Sequence, residues 1–73
     1  MTVAARIAQF LRSNMPRGYC DGCIADELQL GAGSNRAMAT NVTTAFAECP
    51  REFRREDDTC GRCGEVRKVT RAV

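Results

Sequence analysis

Apolar residues recur along the chain in two rhythms, helical up to Pro50 and extended beyond it. Val3, Ile7, Phe10/Leu11 and Met15 lie at helical spacing, with Arg6, Gln9, Arg12 and Ser13 between them. Thr2 is placed to cap this stretch, and Met15-Pro16 closes it because the residue before proline avoids the α region. A first helix is therefore expected over about 3–15, followed by a turn at Pro16-Arg17-Gly18. Ile24, Ala25 and Leu28 form the stripe of a second helix over about 22–30, with Asp21 as its N-cap. Gly31-Ala32-Gly33 suits the left-handed backbone that ends many helices. Ser34 or Asn35 then caps a third helix over about 35–49. Its apolar face reads Met38, Val42, Ala45/Phe46 and Cys49, leaving Arg36, Thr40, Thr43, Thr44 and Glu48 largely off that face. Pro50 stops it.

Phe53–Thr59 and Glu65–Val73 are strand-capable and flank Cys60-Gly61-Arg62-Cys63-Gly64. A hairpin over about 53–72 with the cysteine turn at its tip is the simplest reading. Val66 and Val69 do not alternate cleanly, so the pattern leaves its register open. The fold class is α+β, in one domain covering residues 1–73. Four aromatics and no Trp in 73 residues make a thin core. Chains below about 70–80 residues commonly add a covalent or metal staple, and five cysteines can supply one.

Charge changes the picture only in its distribution. The formal total is +2, and ten of the eleven bases are Arg. Residues 1–19 carry +3, residues 20–49 carry −3, and residues 51–73 carry +2. Such a balance allows a basic binding face without imposing one. The chain holds no apolar run long enough to span a membrane, and its N-terminus lacks the pattern of a signal peptide. An odd cysteine count then fits a reducing cytoplasm better than a secreted disulfide framework.

Cys20-x-x-Cys23 and Cys60-x-x-Cys63 are the chemical signal. A two-residue gap lets both sulfurs of a pair reach one ion, and two pairs complete a tetrahedral four-thiolate site. One structural Zn2+ per chain is the expected cofactor. Gly64 gives the second pair the look of a zinc knuckle, whereas Cys23 leads into a helix whose free N–H groups can stabilise thiolate. Iron in a rubredoxin-like site uses similar spacing, but there both knuckles resemble the second pair. Separate redox centres would need a thioredoxin-like context that is absent. Four thiolates leave no position for water, and the chain has no His to serve as general base. No enzyme activity and no small-molecule substrate are expected. Cys49, on the stripe of the third helix, reads as a small buried hydrophobe outside the metal site.

The second helix, a glycine-bearing turn and the third helix have the proportions of a helix-turn-helix. With the preceding helix and the following hairpin, the chain resembles small bacterial-type winged helix-turn-helix proteins whose wing carries a zinc-ribbon-like knuckle. The resemblance rests on the stretch Cys20–Leu28, on Asn35-Arg36 opening the third helix, and on Cys60–Gly64 followed by Arg67-Lys68. It implies that the third helix enters the major groove of double-stranded DNA. Asn35, Arg36, Thr40, Thr43 and Thr44 would then read bases, for which Arg, Asn and Thr have suitable chemistry. Arg54, Arg55, Arg62, Arg67 and Lys68 would touch phosphates. The metal would pin the wing to the start of the second helix. The rival readings are a protein-interaction adaptor, expected to expose Phe53 or Val69, and a thiol-redox protein. The hairpin bases also alternate with Glu52, Glu56, Asp57, Asp58 and Glu65, which can serve as their cross-strand partners.

Overall fold

A computed structural model describes residues 2–30 and 35–73. Its elements run α1 (Val3–Ser13), β1 (Tyr19–Cys20), α2 (Asp21–Leu28), α3 (Arg36–Phe46), β2 (Phe53–Thr59) and β3 (Val66–Ala72). Three helices thus accompany a three-stranded antiparallel sheet of order β1-β3-β2.

Thr2 caps α1 by accepting from the Ala5 N–H at 3.1 Å. The helix ends at Ser13, earlier than the apolar spacing predicts, so Met15 lies beyond it and is half exposed. Helix α2 begins with Asp21 rather than after it. Cys20 occupies the cap without a side-chain bond, because the Asp21 carboxylate is engaged elsewhere. Gln29, at φ +52°, takes the left-handed position that closes α2. The glycine segment expected to do so lies outside the described residues, as does Ser34. Asn35 caps α3, its Oδ1 accepting from the Met38 N–H at 3.2 Å.

The face of α3 differs from its hydrophobic pattern. Ala39 and Thr43 are the positions it buries fully, while Met38, Val42 and Phe46 are only partly covered and Ala45 is exposed. Thr43 can be buried because its hydroxyl is bonded on several sides, which removes the penalty for hiding a polar group. The α-helix stops at Phe46, so Cys49 lies past its end and is exposed, not a core residue.

Ile7 and Leu11 of α1, Ile24 and Ala25 of α2, Ala39 of α3, and Phe53, Val69 and Ala72 of the sheet close the core. Each large aliphatic among them contributes about 1.5–3 kcal/mol by leaving water. Phe46 stacks on Phe53 with ring centroids 4.2 Å apart, joining the end of α3 to the start of β2. The hairpin register runs from Phe53↔Ala72 to Thr59↔Val66, with the cysteine turn at its tip as expected. A pairing the sequence pattern does not predict adds the two-residue β1, with Tyr19↔Thr70 and Cys20↔Val69. Gly18 makes that approach possible, since a Cβ there would lie 2.8 Å from Val69 Cγ2. Val69 is buried and cannot swing away. Gly18→Ala should therefore destabilise the chain by about 1–3 kcal/mol in chemical denaturation, as overpacking does.

Candidate metal centre

Each of the four paired cysteines is set by a different local device. β1 delivers Cys20 to the sheet edge, and Cys23 follows within the first turn of α2. At the hairpin tip, the Cys60 N–H donates to Glu65 O at 2.9 Å and the Gly64 N–H to Cys60 O at 3.0 Å. Gly64 adopts φ +77°, which only glycine enters without strain, and so folds the chain back beneath Cys63. The Gly61 N–H donates to Gly18 O at 2.8 Å, docking the knuckle on the segment that leads into β1.

These devices bring all four sulfurs within 4.8 Å of one another, with Cys20 Sγ and Cys63 Sγ 4.0 Å apart. A tetrahedron with metal–sulfur bonds of about 2.3 Å has edges of about 3.8 Å, so small side-chain adjustments complete the site. Cys20, Cys23 and Cys60 are buried and Cys63 faces solvent. Cys20, Cys23, Cys60 and Cys63 therefore form a group that could hold a metal ion, and Cys49 is not part of it.

The sulfurs differ in acidity. Burial pushes the Cys60 thiol up, but main-chain N–H groups of Cys20, Cys63 and Arg62 more than compensate and hold it down at about 6. The Cys20 and Arg62 donors lie 3.4 and 3.5 Å from its sulfur. Burial, reinforced by the neighbouring Cys20 and Cys60 sulfurs, pushes Cys23 up to about 12, and burial raises Cys20 as well. Binding a cation here would require the thiols to give up their protons.

Asp21, next to Cys20, is the centre of a second constellation. Arg55 Nη1 and Nη2 donate to Asp21 Oδ1 and Oδ2, both at 2.9 Å. Thr40 Oγ1 donates to Oδ2 at 2.9 Å, and Thr43 Oγ1 lies 2.7 Å from Oδ1. Arg55 Nη1 also donates to Thr43 Oγ1 at 2.8 Å and Thr70 Oγ1 at 3.0 Å. Burial alone would raise the Asp21 carboxyl, yet Arg55 and the two hydroxyls hold it below the usual carboxylate range. The network ties α2, α3, β2 and β3 together beside the sulfur group.

The residues proposed for DNA contact separate into three sets. Thr43 is fully buried, Thr40 is half-buried on Asp21, and Arg55 is committed to the same carboxylate, so these three are structural. Asn35, Arg36, Thr44 and Arg54 are exposed, although Asn35 also spends its side chain on the helix cap. The remaining cations meet acids. Arg62 pairs with Asp26 at 2.6 Å and Glu27 at 3.2 Å, Arg67 with Glu65 at 2.7 Å, and Lys68 with Asp57 at 3.6 Å. Sequence reasoning also misassigns the centre of this network, Asp21, as an N-cap. Its signal was an acid at the first turn of α2 with two threonines at i, i+3 on the next helix, which polar-versus-apolar patterning scores as surface.

Compared with known proteins, the chain matches no family model, no curated protein and no solved structure. Among the described residues, no helix is long and apolar enough to cross a membrane.

Proposed function

We propose that the chain is a non-enzymatic winged helix-turn-helix module, stapled by one zinc ion, that acts in the cytoplasm on double-stranded DNA or in association with transcription. The observation that carries the reading is the sulfur group itself. It joins the tip of the β2–β3 hairpin to the start of α2, with 36 residues between Cys23 and Cys60, which supports a wing held against a helix pair. Zinc suits four thiolates in a closed tetrahedron, and such a site supplies structure rather than an open position for substrate. Asn35, Arg36 and Thr44 on the outer side of α3, with Arg54 on the hairpin, are the surface left for a duplex.

One observation favours the second reading, a protein-interaction adaptor. Arg62, Arg67 and Lys68 are each neutralised by a neighbouring acid, which leaves the wing a poor phosphate-binding surface. Against it, Phe53 and Val69, the residues an adaptor was expected to display, are both buried. Titration of the zinc-loaded chain with mixed-sequence duplex in low salt decides between them. DNA binding should appear there and weaken steeply as salt rises, since phosphate contacts release counterions. Arg36→Ala should reduce it by about tenfold, in line with one base or phosphate contact of 1–3 kcal/mol. No binding at low salt would leave the adaptor.

A further inference from the structure

The outer edge of the sheet carries a pattern that fits a second copy of this chain. In the order β1-β3-β2, strand β2 has a neighbour on one side only. Two bonds fix which of its main-chain groups face that neighbour. Val73 N–H donates to Glu52 O and Cys60 N–H to Glu65 O, so even-numbered β2 positions pair inward and odd-numbered ones point outward. Of the outward N–H groups, Phe53 donates to Cys49 O and Thr59 to its neighbour Asp58 Oδ1. Arg55 and Asp57 remain, and among the described residues their outward main-chain groups meet no partner.

The side chains of this edge read Arg54-Arg55-Glu56-Asp57-Asp58. Laid antiparallel on itself about Glu56, the strand sets Arg54 against the partner's Asp58 and Asp58 against the partner's Arg54. The same register sets Arg55 opposite the partner's Asp57 and Asp57 opposite the partner's Arg55, which lets the unpartnered main-chain groups bond to one another. The adjacent registers that keep this main-chain phase are weaker: about Asp57, Glu56 faces the partner's Asp58, like against like, and about Arg55, Arg54 faces the partner's Glu56, whose carboxylate Arg71 already holds. Glu56 meets its own copy at the dyad, but each Glu56 is already paired with Arg71, which also reaches Asp58 at 3.5 Å. Arg55 itself is neutralised by Asp21, so the charge selection falls on Arg54 and Asp58. Charged edges ordinarily prevent strand addition; here the charge order is self-complementary about Glu56.

We propose that β2 is a homodimerisation edge, through which two chains join antiparallel about Glu56 to form one continuous six-stranded sheet. Strand addition of this kind draws affinity from main-chain bonds and selectivity from the facing side chains. The surface is small and exposed, so the dimer is weak, concentration-dependent and sensitive to salt.

Charge exchange tests it by sedimentation of the purified chain up to millimolar concentration. Wild type should self-associate. Arg54→Glu alone and Asp58→Arg alone each create two like-charge pairs across the dyad and should weaken self-association by about tenfold or more. An equimolar mixture of the two variants restores opposite charges at both pairs and should associate again. Arg54 is exposed and makes no salt bridge among the described residues, so its replacement should leave the monomer intact, which the amide spectrum checks. On dilution of wild type, the Arg55 and Asp57 amides should gain exchange with solvent while the Glu56 amide, bonded inward, does not. A monomeric wild type at millimolar concentration, indifference to the single reversals, or a mixture that fails to associate would each overturn the proposal. None of these readouts depends on which metal the sulfurs hold.

Discussion

Removing the metal with a strong chelator should unfold the chain, collapsing its dispersed amide spectrum. Structural zinc contributes about 10–16 kcal/mol to small domains at neutral pH, more than the net stability a core of this size supplies. The geometry also grades the ligands. Cys60 is fully buried and its sulfur accepts from the Cys20 and Arg62 N–H groups, so Cys60→Ser removes a ligand and disturbs the turn together. It should abolish metal binding, as native mass spectrometry would show. Cys63 is exposed, and water can take its place in the first shell, so Cys63→Ser should keep a weakened, more easily chelated site. Cys49→Ala should leave the metal content and the melting temperature as in wild type, because Cys49 is exposed and outside the group. A chelated chain that keeps its native spectrum would show that the sulfur group is not the staple.

The contrast among these cysteines shows what the sequence makes legible. Two CxxC pairs point through chemistry alone to one sulfur group that could hold a metal, and the structure brings the four sulfurs together. The hairpin follows from the same fact, since a knuckle must sit at a turn. Helix starts at Thr2 and Asn35 were readable because capping is local. Burial was not. Cys49 and Thr43 exchange the roles their types suggest, one apolar position exposed because α3 ends before it, one hydroxyl sealed because long-range bonds satisfy it. Arg55 was equally hidden: a basic residue on a hairpin looks like surface until Asp21, 34 positions away, is seen beside it. The short β1 escaped notice because two residues give no periodicity.

Replacing Arg55 with Met should destabilise the chain by about 3–5 kcal/mol, the second largest effect expected here. The loss is not the value of the ion pair itself. It is the cost of leaving the Asp21 carboxylate, itself only 6% exposed, with two hydroxyl contacts and no counter-charge. Asp21→Asn should cost less, since an amide oxygen still accepts from Arg55 and no buried anion remains. The double variant should cost less than the two singles summed, because both remove the same interaction. Denaturant titration of all three variants measures these differences, and a value for Arg55→Met within about 0.5 kcal/mol of wild type would show the network to be inert. Metal content separates this network from the sulfur staple. Among the described residues no sulfur contact passes through Arg55, so Arg55→Met should keep the metal content of wild type while its α3 and β2 amides shift. The two devices then hold different things: the sulfur group anchors the tip of the β2–β3 hairpin, and the Asp21–Arg55 pair sets the base of the hairpin against α3.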